Sequence, residues 1–491
     1  MEIFSIEIII GLVIGTLMYL AYKSIIRPAN FPPGPIGIPI LGSLQLLKVY
    51  PERDMLKLSK TYGNLFSLKT AAKNYVCVCG TDANKEVLNH KNIVDRPATY
   101  VFYMIKGNQP RGIVHSNFTE WLKANRALMH TVLTDSVDEI VDTQTTNMMN
   151  ELEEYFGNGE PSYIGNVIFA SFVTTVVDVL FGSKTVRTKE EKDRIEEIVR
   201  SVVTLKEAFA GKLFMIPQLI PGLHNIWIPE SAKKCLEISD TIFKYCAEQV
   251  EAHKSRMDTE KTKNLVGLYL DKMNEEKDVQ NTVFTQDNFR ILLYDIFVAG
   301  TENSSRTMEF ASLYLAAHPD VQRKIHKEII EVLGKNGKVQ YQDRLKMHYT
   351  IATAFEILRF SSLTPTGVPR RAMQDVTLNG YFIPKGTIFL MNPWSSNTQD
   401  DRWKNPDNFD PENFLDEDGK FAMNDAFMGF GGGLRKCIGA PLIKTELFVF
   451  LVKLVQKFHI KPETDDTKID YEPLGGVIHT PKPQKLRLQL R

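Results

Sequence analysis

From Thr285 to about His318 nothing interrupts a helical pattern, and Pro319 ends it. At ~1.5 Å per residue such a helix is roughly 50 Å long, enough to cross a whole domain. Its middle, Ile291–Ala299, is apolar on nearly all sides apart from Asp295. A helix of that kind is buried, so the rest of the chain must wrap it. Within it lies Ala299-Gly-Thr-Glu-Asn-Ser304. A glycine inside a helix costs about 1 kcal/mol against alanine, and a buried glutamate costs more unless it is paired or protonated. Such a patch is tolerated where something must approach the helix backbone or where protons must move. A kink or packing contact at Gly300 is the plainer alternative.

The chain has 491 residues and is 43% hydrophobic, so a large core is available. Lys+Arg and Asp+Glu each number 59, which removes the basic excess expected of a nucleic-acid binder. Five cysteines, an odd and sparse set, argue against a disulfide framework and for a reducing compartment. No C-x-x-C or H-E-x-x-H motif supports a zinc site. Residues 116 to 331 read as nearly all helix, with loops near Gly157–Gly159 and Phe214–Pro229. The run Lys189–Arg194 reads as a solvated helix face. Leu65–Leu68 and Tyr75–Cys79 have strand character. Thr377–Leu378, Tyr381–Ile383 and Thr387–Leu390 suggest a second group of strands around Asn379-Gly380 and Lys385-Gly386 turns. The expectation is one large, mainly α body with a small β portion.

The N-terminus is set apart. Ile3–Tyr22 carries one charge, Glu7, and is about the ~20 residues a spanning helix needs. Lys23 and Arg27 follow it, which places the bulk of the chain on the cytoplasmic side. That charge order is the reverse of a cleaved signal peptide, and the early glutamates disfavour a mitochondrial transit peptide. Phe31–Pro39 is too rich in proline and glycine for a helix and makes a stiff connector. The boundaries expected are an anchor over 1–27, a hinge over 28–42 and the large body over 43–491.

One thiol stands out. Phe430–Pro441, FGGGLRKCIGAP, puts Cys437 between a glycine-rich loop and an amphipathic helix expected to start near Ile438. Pro441 then falls where its missing N–H does no harm. The helix dipole, Arg435 and Lys436 are expected to lower the thiol pKa and favour thiolate. The glycines let the loop backbone approach a flat object. A thiolate presented this way is a nucleophile or a metal ligand. A nucleophile wants a histidine base, and none is near in sequence. A ligand to heme iron needs only the thiolate, donors around its sulfur, and room.

Phe430-x-x-Gly433-x-Arg435-x-Cys437-x-Gly439 is similar, position for position, to the heme-binding signature of the cytochrome P-450 family. In the family's order, the chain also shows Pro32-Pro33-Gly34-Pro35, Asp95-Arg96-Pro97, Ala299-Gly300-x-Glu302, Glu356-x-x-Arg359 and Phe409-x-Pro411-Glu412-x-Phe414. The resemblance covers the whole chain and is nearest to microsomal members that hydroxylate lipophilic small molecules. It implies the cytochrome P-450 fold: a single heme domain after a transmembrane anchor. It also implies heme b with Cys437 as axial iron ligand. Arg435, Arg370 and Trp121 then match heme-propionate partners, and Phe430 belongs to the heme loop. Glu356 and Arg359 match a buried structural pair beneath that loop. Gly300, Glu302 and Asn303 fall on the oxygen-activating turn of the long helix.

Three departures bear on that carry-over. Four residues past Trp121 the family usually has Arg; here it is Asn125, with Arg126 next, so either Arg126 substitutes or that propionate contact is missing. An Arg usual between Pro-Glu and Phe is Asn413, whose amide can still bond Glu356 or a carbonyl. The family's acid is followed by Thr, but Glu302 is followed by Asn303, which cannot relay a proton through a hydroxyl. Glu302 can still relay protons if burial raises its pKa, and delivery is then expected from Glu302 with ordered water positioned by Asn303.

The walls of the substrate site implied by the resemblance are Val114 and His115, Phe297 to Ala299, Thr366 to Val368, and Val477 with Ile478, with Leu213–Ile220 as a mobile lid. The implied activity is a monooxygenase that inserts one atom of dioxygen into a lipophilic small molecule, with electrons from NADPH through a partner reductase. The implied location is the endoplasmic reticulum membrane, single-pass, with the heme domain on the cytoplasmic side and no nucleic-acid partner. Two alternatives stand beside it: a heme-thiolate isomerase or dehydratase that needs no reductase, and a heme protein that binds a ligand without turnover.

Overall fold

The structure is a computed structural model. It describes residues 2–491 apart from 40, 71–72, 108–110, 136, 183–187, 210–216, 218–221 and 256–263. The long helix spans Gln286–Ala317. Thr285 caps it by accepting from the Asn288 N–H, and Pro319 opens the next helix, Pro319–Val332, after a non-helical His318. The helices Gly165–Phe181, Glu230–Lys254, His348–Ser361 and Ala440–Lys457 pack around it. Its middle is buried as the apolar run requires, and Asp295 is not left alone. Lys106 Nζ lies 2.8 Å from it and the Val114 N–H donates to it at 3.0 Å. Both charged side chains are buried, so the pair ties the loop before Trp121 to the long helix.

The β portion is small. Strands β1 (Leu65–Lys69), β2 (Asn74–Val78), β3 (Arg370–Arg371) and β6 (Ile388–Met391) form one sheet in the order β1-β2-β6-β3. β2 runs antiparallel to β1 and parallel to β6, with Cys77 opposite both Phe66 and Leu390. β4 (Val376–Leu378) pairs with β5 (Tyr381–Ile383), and β7 (Phe458–Pro462) with β8 (Leu486–Leu490). The main core lies among the helices, and two smaller clusters lie under the mixed sheet. Every strand read from the sequence is present, shifted by at most a residue or two, but the expected second group is split: β6 joins β2 and β3 in the mixed sheet and leaves β4 and β5 as a separate pair.

The first helix runs Glu2–Ile25, and Glu7–Ile25 is long and apolar enough to cross a membrane. Its apolar side chains, from Ile8 to Tyr22, are largely exposed. The hinge that follows is fixed to the body: Arg27 donates to the Pro35 carbonyl at 2.7 Å, and the Ser67 N–H to the Pro33 carbonyl at 2.7 Å. A hinge anchored on β1 transmits the attitude of the helix to the sheet.

Candidate active site

The Cys437 loop is shaped by backbone bonds. The Cys437 N–H donates to the Phe430 carbonyl at 2.9 Å, and the Lys436 N–H to the Gly433 carbonyl at 3.0 Å. Gly433 has φ +60°, and a Cβ there would lie 2.1 Å from the Leu88 carbonyl oxygen, so only glycine fits. The helix starts at Ala440, two residues later than expected, with Gly439 as its cap and Pro441 in its first turn. The N–H groups of Gly439 and Ala440 bond the Cys437 sulfur, and Arg126 and Lys436 add positive charge. The expected lowering of the thiol pKa is nevertheless overturned. Protein packed around the sulfur pushes the thiol up, and the donors offset that only in part. The residue as a whole is exposed at the surface of the loop. The missing positive charge is what an iron ion supplies.

Beside the loop lies a cationic cluster. Arg435 donates through Nε to the Val94 carbonyl (2.7 Å) and through Nη2 to the Ser116 carbonyl (2.5 Å). Its Nη1 and the Trp121 Nε1 are buried with no hydrogen-bond partner among the described residues. Arg96, Arg126, Arg370 and Arg435 act on one another as like charges; burial and that repulsion hold Arg435 down to about 10, while Asp95 opposes it. Buried donors without acceptors, within a cluster short of anions, fit a flat group carrying carboxylates. His115 stacks on Phe102 at 3.7 Å, and burial, Lys106, Arg96 and Arg435 push its pKa down, so it is neutral at physiological pH.

Two arginines expected at that group are otherwise occupied. Arg370 gives its Nη donors to the carbonyls of Leu88 (2.6 Å) and Gly432 (2.7 Å), bracing the Cys437 loop against the Thr81–Asn89 helix. Arg126 donates to the Lys436 carbonyl at 2.7 Å, beside Cys437, while Asn125 is buried and turns its amide to the Trp121 carbonyl. Arg96, absent from the expected set of propionate partners, holds the carbonyls of Val114, Val368 and Pro369.

On the long helix Ile296, Val298, Ala299, Gly300, Asn303 and Arg306 are at least partly exposed, and Ile296, Ala299 and Asn303 among them are spaced i, i+3, i+7. That stripe is the face turned to open space. Asn303 Nδ2 donates to the Ala299 carbonyl at 3.0 Å, and its Oδ1 has no partner among the described residues. Glu302 is buried but paired: Arg306 Nε lies 3.2 Å from its Oε1. Arg306 continues to Glu309 (2.9 Å), which accepts from the Tyr163 hydroxyl (2.6 Å). An i+4 arginine after Glu302 was the sequence signal for this chain, and the burial argument alone passed over it. Gly300 needs correction. A Cβ there would lie 3.1 Å from Val176 Cγ2, so its glycine permits close crossing of the Gly165–Phe181 helix. Phe297 is fully buried against Tyr245 and belongs to the core. Leu213–Ile220 lies outside the described residues apart from Pro217.

Beneath the loop Arg359 and Glu356 are completely buried and joined by two bonds of 2.7 Å. Asn413 does what its amide allows: Nδ2 reaches Glu356 Oε1 (3.2 Å) and the Asn405 carbonyl (3.1 Å). A further contact had no sequence signal: Ser304 donates to Glu446 Oε2 at 2.8 Å across 142 positions.

A mainly helical body that presents one exposed cysteine beside unpaired guanidinium and indole donors is built to hold a flat anionic cofactor by a single protein ligand. Comparison with known proteins agrees. The sequence pattern of the family described as Cytochrome P450 matches residues 32–488. Cytochrome P450 2C1 of Oryctolagus cuniculus is 32% identical over 95% of this chain and 96% of its own length. Cytochrome P450 2E1 of Mesocricetus auratus is 31% identical over 96% of each chain, and cytochrome P450 2B2 of Rattus norvegicus 30% over 99% of each. The chain belongs to the cytochrome P450 family. It is a monooxygenase whose cofactor is a thiolate-ligated heme.

Proposed function

We propose that Cys437 is the thiolate ligand and that the enzyme oxidises a lipophilic small molecule with electrons from NADPH through a partner reductase. The observation that carries this reading is the exposed residue Cys437, its sulfur bonded by the Gly439 and Ala440 N–H groups, beside the unpartnered Arg435 Nη1 and Trp121 Nε1. Those two donors would hold the propionates. Arg126 and Arg370 would support the loop from its flanks, and Phe430 would close it through its carbonyl. When bound, the heme supplies dioxygen activation.

The residues of this chain then set the proton supply and the environment. Asn303, its Nδ2 tied to Ala299, would offer the buried, unpartnered Oδ1 to an ordered water just behind the partly exposed stripe. Glu302, fixed by Arg306, stands next to it as the carboxyl that takes up and releases protons. Val114, His115, Val298 and Ala299 would wall the substrate, with Thr366 to Val368 and Val477–Ile478. The exposed apolar helix would anchor the protein in the endoplasmic reticulum membrane through residues 1–27. The connector 28–42 would then hold the heme domain 43–491 on the cytoplasmic side. Lys436, exposed beside the thiol, and Arg435 behind it suit an acidic reductase.

The test uses the full chain, a microsomal reductase, NADPH, isotopically labelled dioxygen and an extract of lipophilic metabolites from the source. A product that gains label only with NADPH is expected. A compound consumed without label and without NADPH would replace this reading with the isomerase, which Asn303 keeps open.

A further inference from the structure

The long helix contains five Ser and Thr residues, Thr301, Ser304, Ser305, Thr307 and Ser312. Four of them donate back to a carbonyl one turn earlier: Thr301 to Phe297, Ser305 to Thr301, Thr307 to Asn303 and Ser312 to Met308. Ser304 alone reaches across, to Glu446 Oε2 at 2.8 Å. Glu446 is fully buried, and its Oε1 has no hydrogen-bond partner among the described residues. It lies on the helix Ala440–Lys457, which begins three residues after Cys437, while Ser304 directly follows Glu302 and Asn303.

We propose that Glu446 is a positioning residue for the oxygenation reaction: through Ser304 it locks the Cys437-side helix to the turn of the long helix that carries Glu302 and Asn303. The inference rests on the roles proposed above for those residues. A single hydrogen bond here fixes the rotation of the long helix at the residue after Asn303. Rotation at that point sets where the buried Asn303 Oδ1 and the Glu302 carboxyl, held by Arg306, stand relative to the partly exposed stripe. The Ser304 bond forms with Glu446 neutral or ionised, but only the neutral carboxyl sits in a dry site without needing a counter-charge. Burial raises its pKa to about 8, and only the Ser304 bond opposes that. The packed elements are the long helix, Val137–Phe156, Pro319–Val332, His348–Ser361, Glu120–Asp135, the turn Tyr341–Leu345 and β7. None of them places a charged group against it among the described residues. Glu446 is therefore mostly neutral below about 8 and mostly ionised above. Ionisation strengthens the Ser304 bond itself but leaves a charge without a counter-charge in a dry site, and water drawn in to solvate it loosens the packing of the two helices.

A loosened lock has a defined chemical readout. With proton delivery misaligned, NADPH, a proton and dioxygen give NADP⁺ and hydrogen peroxide, and no oxygen reaches substrate. The experiment measures peroxide released per NADPH consumed across pH, with full-length protein and reductase, for wild type, Glu446→Gln, Glu446→Leu and Ser304→Ala. Wild type is expected to leak little below pH 8 and several-fold more above. Glu446→Gln, which keeps shape and cannot ionise, is expected to flatten that rise. Glu446→Leu and Ser304→Ala are expected to leak several-fold more at neutral pH. Infrared spectra at pH 7 are expected to show a protonated carboxyl band that Glu446→Gln abolishes. Unchanged leakage in Ser304→Ala and Glu446→Leu, or no such band, overturns the proposal. The underlying reading fails separately: Cys437→Ala would then keep the ferrous carbonyl band of a thiolate-ligated heme.

Discussion

Replacing Arg359 by leucine tests how the heme loop is held. The Arg359 guanidinium has five N–H donors, and the structure uses all of them. Nε and Nη2 bond the two Glu356 oxygens at 2.7 Å each. Nη1 bonds the carbonyls of Asn397 (2.7 Å) and Pro406 (2.9 Å), and Nη2 also bonds that of Asn408 (2.9 Å). Glu356 accepts in addition from the Asp410 N–H at 2.8 Å and from Asn413. Arg359→Leu strands a buried carboxylate, at a cost of about 3–5 kcal/mol. It also strands three carbonyls, each costing about 1–3 kcal/mol where water cannot reach. The low end of the total is about 6 kcal/mol, comparable with the whole margin of about 5–15 kcal/mol that holds a protein folded.

The expected result is a protein that keeps little thiolate-ligated heme, read from the ferrous carbonyl band, and a urea midpoint far below wild type. Glu356→Gln/Arg359→Leu removes the stranded charge but keeps an acceptor for Asp410 and Asn413, so it recovers part of the loss. A single variant within about 1 kcal/mol of wild type would falsify this account. So would a double variant no more stable than the single one, since stranded charge is then not what the loop feels.

Other substitutions separate the remaining parts. Trp121→Phe keeps the ring and removes the indole N–H; the heme off-rate to an acceptor globin is expected to rise several-fold, with the carbonyl band position unchanged. Asn303→Thr supplies the hydroxyl that the family usually carries there, and the fraction of NADPH electrons reaching product is expected to change; an unchanged ratio removes Asn303 from proton delivery. Glu446 makes a prediction about stability with a definite sign. Its folded pKa, about 8, lies above the usual 4.5, so the stability it contributes is fully present below about pH 4.5 and is lost as pH rises through 8. Over that window the loss runs at up to about 1.4 kcal/mol per pH unit, and a urea-melt series on Glu446→Gln is expected to show a shallower slope than wild type.

What the sequence made legible follows from range. The Cys437 loop is a contiguous motif whose glycines, cation and thiol each have a local reason, so its layout could be read before folding. The long helix and the small strands were legible because periodicity and turn residues are local as well. Most polar partners across the fold were not, the Asn413–Glu356 bond being legible only through the family resemblance. Arg370 bracing Leu88, Lys106 meeting Asp295 and Ser304 meeting Glu446 join residues far apart in sequence, and nothing in either segment names the other. Gly300 misled because a glycine that admits a ligand and one that admits a neighbouring helix look alike until Val176 is placed. The thiol pKa misled because dipole and cations are visible in sequence and the surrounding packing is not.

Those long-range contacts also explain why Asn303 carries weight. The long helix is rich in hydroxyls on either side of it, and a neighbour standing in for the missing threonine would make the replacement neutral. The structure closes that route. Thr301, Ser305 and Thr307 spend their protons on helix carbonyls, and Ser304 spends its own on Glu446. A step of one residue rotates a side chain by about 100°, so Ser304 turns away from the stripe that Asn303 occupies. Glu302 is held by Arg306 in an ion pair that fixes its carboxyl. On this turn Asn303 Oδ1 is thus a buried acceptor with no hydrogen-bond partner among the described residues, and the proton path proposed above would draw on it, on Glu302 and on water.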